Sequence, residues 1–240
     1  MKVSVIAVTA RMGCFDVLVH CMEAQTFPKE DFEVVVVDSF HETRKDQVRD
    51  RLPSNFRHIG LPEERPCYDA CYATNVGIRE ATGELAIIFS DLNWAYPDFV
   101  KDHWEVYTTM PGYSMTGYCD RYPVPKLAMD FTLDNHGLFK DHLHYRNHWR
   151  YLAWSVFEAE FTKEFAENYF GSIEPSYRER KGGAHGPAVP NTEYFELPPE
   201  LFYGSLNESI PMSVLKGING LDEGYDQAYG VADIDLGWRA

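Results

Sequence analysis

An α/β fold built on a mixed, mainly parallel sheet flanked by helices is what this sequence predicts, on three observations. Residues 3–8 and 32–37 are short, apolar, β-branched runs, and the stretch between them has helical spacing, the pattern of a strand–helix–strand unit. Residues 85–90 are apolar almost throughout and too few for an ordinary helix, as in a strand buried on both faces. Each run ends in polar residues, Thr9, Asp38 and Asp91. In open α/β sheets, ligands bind just beyond the carboxyl ends of the strands.

The elements follow in order. The first run leads into a polar, Gly-containing loop at 9–13. Phe15, Leu18, Val19 and Met22 then recur at helical spacing, with Asp16 in the first turn and Pro28 beyond the end. So short a return makes the first two strands parallel and puts their following loops on one edge. Residues 41–52 are charged and amphipathic, predicting a surface helix stopped at Pro53, and 56–59 a short third strand. A loop at 63–68 carries Arg65 and Pro66. Residues 68–81 predict a helix, with Thr82 and Gly83 as its C-terminal cap. Further helices are expected over 98–107 and through Leu215, and a strand over 113–118. Between 111 and about 206 the pattern loosens. Residues 142–168 are rich in aromatics and histidine with partial helical periodicity, and 182–187 form a Gly-rich loop. No repeat, low-complexity tract or linker divides the chain, so one domain over 1–240 is expected, with a variable middle at 120–206.

Composition narrows the function. A net charge of −15 argues against nucleic acid and anionic lipid as partners, since both are bound through clustered Lys and Arg. A short diphosphate ligand stays compatible, because a metal ion and backbone N–H groups supply local positive potential. Five cysteines, an odd count with no second pair or nearby His to join Cys67 and Cys71 in a zinc site, read as reduced thiols in a cytoplasmic protein. The apolar N-terminal run is too short for a signal segment, and no stretch reaches the roughly 18 apolar residues of a membrane span.

Two strand-end aspartates, Asp38 and Asp91, should face one crevice, and a carboxylate with an amide two residues on at Asn93 supplies oxygen ligands for a hard cation or a ribose. Taken singly, each aspartate reads equally as a helix or turn cap. Asp233 and Asp235 divide evenly between a site and the first turn of a closing helix, where the macrodipole favours both. His144 and His148 have ligand-compatible spacing, but no Glu stands beside His144 as in a zinc protease. Walker, Gly-x-Gly-x-x-Gly and Gly-x-Ser-x-Gly patterns are absent.

With those residues in place, the chain resembles a family 2 glycosyltransferase of the GT-A fold, the nucleotide-diphospho-sugar transferase superfamily. The resemblance runs through residues 3–9, 25–27 and 32–38, resumes at 73–78, 81–84 and 85–93, and closes with 207–210, 219–223 and 232–239. It implies a nucleotide-binding half at 1–110 and an acceptor-binding half at 111–240, that Val8, Thr9 and Ala10 contact the nucleotide, that Asp38 and Ser39 occupy the base-recognising pair, and that Arg65 meets the diphosphate. Asp91-Leu92-Asn93 falls on the family's Asp-x-Asp motif, with Asp91 and Asn93 toward a divalent metal, Mn²⁺ or Mg²⁺. Asp233 falls on the general base of an inverting transfer to an acceptor hydroxyl, a carbohydrate or another alcohol. A UDP-sugar is the leading donor, although Ser39 stands where a second Asp is common and leaves the base open. Asn93 in place of a carboxylate, and Ala232 in place of a Glu, also depart from the family pattern. These departures motivate the alternative, a weak or inactive nucleotide-sugar-binding module of a larger assembly. A nucleotidyltransferase is less favoured, as no Gly-rich, Lys-containing loop follows the first strand.

Overall fold

The computed structural model describes residues 1–10, 15–62, 70–91, 93–95, 97–112, 114–116, 120–125, 150–157, 207–226 and 232–240. Its centre is a six-stranded sheet. The first strand, β1 (Val3–Thr9), leads into helix α1 (Phe15–Glu23) and returns as β2 (Phe32–Asp38). Helix α2 (His41–Val48) and a 3-10 turn precede β3 (Phe56–Gly60), and α3 (Ala70–Glu80) precedes β4 (Leu85–Ser90). A two-residue strand β5 (Asn93–Trp94), helix α4 (Phe99–Thr109) and β6 (Met115–Thr116) follow. The chain then supplies β7 (Asp120–Pro125), β8 (Arg150–Phe157), β9 (Asn207–Pro211), α5 (Met212–Gly217) and α6 (Ala232–Arg239).

In the main sheet the order is β3-β2-β1-β4-β9-β6. The first four strands are mutually parallel, and β9 joins β4 antiparallel with β6 outside it. The parallel part follows from βαβ connections, whose crossover helices must cover the faces. Coverage on both faces explains why β1, β2 and β4 read as near-continuous apolar runs. On one face, α3 and α5 pack over Ile6, Val35, Val37, Ala86, Ile88 and Ile210. On the other, Phe27, in the loop that follows α1, meets Phe32, and α4 packs on the sheet through Phe99 against Phe89. Val5, Ile6, Val34, Val36 and Ile87 are fully buried, and each such side chain stabilises the fold by about 1.5–3 kcal/mol. Gly77 sets how closely α3 approaches: a Cβ there would lie 2.4 Å from Ile6 Cγ2.

The opposite edge of the sheet, at the amino ends of its strands, is closed by a satisfied polar knot. Glu33 Oε1 accepts from the Ser4 hydroxyl at 2.7 Å and from the Thr82 N–H and hydroxyl at 2.6 and 2.8 Å. Burial alone would raise the Glu33 pKa, but these hydrogen bonds and Arg57 outweigh it and hold the carboxyl below its ordinary value.

A second sheet orders β5-β8-β7. Its strand Arg150–Phe157 corrects the helical periodicity read across 142–168. Pairing with both Asn93–Trp94 and Asp120–Pro125 outweighs a weak local spacing, and aromatic and β-branched residues suit a strand. The pair His144 and His148 lies outside the described residues, as do the loop at 182–187 and most of 120–206. Among the described residues no helix is long and apolar enough to cross a membrane.

Candidate active site

The strand ends carry the site. Register pairs Thr9 with Asp38 and Val8 with Ser90, so Asp91, one residue on, lies level with Thr9. Side chains alternate along strands, and Val35, Val37, Ile6 and Ile88 all face α3. Thr9 and Asp38 therefore point to the α1 side, and Asp91 continues that alternation from Phe89. Adjacent strands are roughly 4.8 Å apart, which puts the two aspartates on the order of 10 Å from one another with Thr9 between them. Chain direction across the sheet reverses at this point: β1 leads to β2 and β3 on one side, and β4 lies on the other. Such a switch point is where open α/β sheets hold ligands. Thr9, Asp38 and Asp91 are buried, Val8 and Ala10 half-buried, and Ser39 exposed, its N–H donating to the Thr9 carbonyl at 3.0 Å.

Asp38 is held from three directions. Its Oδ1 accepts the Phe40 N–H at 2.8 Å, while Oδ2 takes Arg44 Nη1 at 2.7 Å and His58 Nε2 at 2.8 Å. Arg44 is as buried as its partner, both side chains being 0% exposed. Its guanidinium lies 4.6 Å over the Phe15 ring, where α1 begins, and His58 packs on Phe15 and on His41. Burial draws the Arg44 pKa down, and the charges of Asp38 and then Asp91 pull it back up. A guanidinium stays charged regardless.

Asp233 enters from the other end of the chain, in the first turn of α6. This is the helix-start geometry that composition alone left open beside the catalytic reading. Arg239 fixes the helix: it pairs with Asp235 at 2.7 Å and donates to the carbonyls of Ile218 and Gly220 at 3.1 and 2.8 Å. That turn is bound to α3 by Asn75, whose amide donates to Leu221 O at 2.9 Å while its Oδ1 accepts the Leu221 N–H at 2.8 Å. Asp226 caps α3 by accepting the Cys71 N–H at 2.6 Å and the Tyr72 N–H at 3.2 Å. Burial first, and then the carboxylates of Asp226, Asp233 and Glu223, push the Cys71 thiol up to about 12. Cys71 is a buried free thiol, as structural cysteines are. Asp233 opens a helix whose Leu236 joins the core under α3, and α3 begins at the edge where the parallel strands end, the edge of Asp38 and Asp91.

The structure therefore brings Val8, Thr9, Ala10, Asp38, Ser39, Asp91 and Asp233 to one edge. The backbone of Asn93 begins β5 directly after Asp91, and Arg65 and Leu92 lie outside the described residues. Sequence reading missed Arg44, His58, Asp226 and Arg239. A signal for Arg44 existed: it stands four before Val48, and these two are the buried residues of α2. The donor set fits a divalent cation held mainly by a ligand. Among the described residues no cluster of three or more His, Cys, Asp or Glu forms a cage. Mg²⁺-like ions bound with diphosphate and water need only one or two protein oxygens, which Asp91 and the Asn93 amide provide by type.

No protein-family model and no curated protein matches the chain. Solved structures do. S. aureus TarS 1-349 in complex with UDP superposes with a TM-score of 0.53 at 17% identity, over 99% of this chain and 54% of that one. The mannosyltransferase PcManGT from Pyrobaculum calidifontis, in complex with GDP-Man and Mn²⁺, gives 0.52 at 14%, over 98% and 50%. GalNAc-T7 with UDP, GalNAc and Mn²⁺ gives 0.59 at 12%, over 100% and 40%. The chain spans about half the length of these structures or less. At such identities the likeness is one of architecture, and the architecture is that of the GT-A fold.

Proposed function

We propose that the chain is a glycosyltransferase that moves a sugar from a nucleoside-diphosphate donor to an acceptor hydroxyl with inversion. The observation that supports this best is the alignment of Asp38, Thr9 and Asp91 at the β1/β4 switch point, with the Asp233 helix brought to the same edge. In this reading, residues 1–110 bind the donor and 111–240 the acceptor. Val8, Thr9 and Ala10 border the nucleotide, Ser39 lies nearest its base, and Asp38 sits beneath as their support. Arg65 is assigned to the diphosphate. Asp91 holds the ribose side of the donor and, with Asn93, the cation that accompanies the diphosphate.

A divalent cation, Mn²⁺ or Mg²⁺, would supply charge stabilisation as negative charge builds on the departing diphosphate. The chain's own chemistry falls to Asp233. An acceptor hydroxyl is far too weak an acid to attack at neutral pH, so a carboxylate within hydrogen-bond reach takes its proton as the new bond forms. One carboxylate opposite the leaving diphosphate gives direct displacement and inversion. Neighbours solved with UDP and with GDP-Man leave the donor base open, and Ser39 in place of a second acid does the same.

The test is release of nucleoside diphosphate from a panel of UDP- and GDP-sugars with Mn²⁺ and mixed sugar acceptors. Asp233→Asn should lower kcat by about 10²–10⁴-fold, the usual worth of a general base, with donor KM little changed. Turnover unaffected by that change would remove Asp233 from the role. Donor binding without transfer to any acceptor would favour the binding-module alternative, for which Asn93 and Ala232 speak.

A further inference from the structure

Arg44 is a fully buried arginine, its side chain 0% exposed. A buried cation is costly unless paired, and an apolar residue at that place in α2 would pack at lower cost. What surrounds Arg44 is the support of the strand-end loops. It pairs with Asp38 at the end of β2 and lies over Phe15, where the chain returns from the β1 loop. Through Asp38 it meets His58 of β3 and the Phe40 N–H, and so the backbone that presents Ser39. Asp91 stands two strands from Asp38, on the same face, and lies within the field of the same guanidinium.

Resting on the donor-site reading above, we propose that Arg44 is a positioning residue that fixes the Asp38–Ser39 corner and sets the charge of the donor edge. With Arg44, the two aspartates leave that edge one charge negative rather than two. The edge then tolerates a diphosphate that it would otherwise repel, while Asp91 keeps a moderated pull on the accompanying cation. Nucleotide and cation affinities are therefore coupled with opposite sign through one buried group. A merely structural Arg would, on removal, weaken both together.

Opposite signs are what the experiment reads. UDP binding alone, and Mn²⁺ binding to the UDP-saturated protein, are measured by calorimetry at fixed pH and ionic strength on the full chain. Removing one unit charge roughly 12 Å away, at an effective dielectric near 20, changes affinity by about tenfold for each unit charge on the ligand. Arg44→Gln should thus bind UDP at least about tenfold more weakly and Mn²⁺ at least about tenfold more tightly than the parent. Arg44→Lys keeps the charge but loses the planar stack and forked donors. It should hold Mn²⁺ affinity within about twofold while UDP weakens, and it strands no buried carboxylate, so it serves if the Gln variant fails to fold. UDP and Mn²⁺ affinities that fall together, or that stay unmoved while the parent binds UDP, overturn the proposal alone. A parent chain that binds neither UDP nor GDP removes the donor-site reading and this proposal with it.

Discussion

At the scale of single residues, the site rests on polar side chains whose partners are far away in sequence. Asn75 is the clearest example: its amide imitates a strand partner for Leu221, 146 positions on, and reaches Glu223 as well. Asn75→Ala would leave a buried N–H and C=O unsatisfied, at a cost of about 2–4 kcal/mol. Thermal or urea unfolding measures this, and a change within about 0.5 kcal/mol, the size of an ordinary surface substitution, would contradict the clamp. Gly220 is bound to the same clamp. It sits at φ +68, and a Cβ there would meet Asn75 Oδ1 at 2.3 Å. Gly220→Ala should cost about 1–2 kcal/mol for the left-handed backbone, before the clash is added. Both residues lay in blocks that sequence reading singled out, yet their contact was not legible. Nothing in a linear pattern says which carbonyl a buried amide will face. The same holds for Asp38, whose position at a strand end was readable while its buried partners Arg44 and His58 were not. Arg44 hid inside a helix so charged that it read as surface.

At the scale of elements, the strands and helices around the parallel sheet were legible because burial on two faces writes itself as an apolar run. The first three strands, α1, α3 and α4 fall within a few residues of their expected bounds. Residues 207–211 were harder, since Asn207, Glu208 and Ser209 are polar yet all buried in β9. The reason lies in α4. His103 lies across the strand, with Nδ1 at 2.9 Å from the Ser209 hydroxyl and Nε2 at 2.7 Å from Asn207 Oδ1. Phe99 packs edge-on beside it. Hydrogen-bonded polar groups thereby take the place of an apolar stripe. Burial lowers the His103 pKa to about 4, with the Asn207 hydrogen bond opposing it in part. The unfolded chain takes up this proton near pH 6.5, and the folded chain only near 4. His103 therefore withdraws stability as pH falls from 6.5 to 4 and has no such effect above 6.5. The loss reaches about 3 kcal/mol. Denaturant unfolding between those pH values reads it, and His103→Gln should flatten the slope. An unchanged slope in that variant would assign the acid sensitivity elsewhere.

At the scale of the molecule, topology does what no single residue does. A strand order that reverses between β1 and β4 opens one edge, and three consecutive strand ends place Asp38, Thr9 and Asp91 there. The C-terminal segment then folds back across α3, so that Asp233 arrives at that edge from 142 residues beyond Asp91. The opposite edge, around Glu33, is closed by internal hydrogen bonds. Fold class was legible because βαβ units repeat one pattern. The second sheet was not, because β7 and β8 are joined only through pairing between distant segments. A crystal structure with UDP and Mn²⁺ decides where the donor sits. The diphosphate should lie across the Thr9–Asp91 gap, with Mn²⁺ at roughly 2.0–2.2 Å from an Asp91 oxygen and the base beside Ser39. A nucleotide seated away from the β1/β4 edge, or bound there without touching Asp91, would contradict that placement.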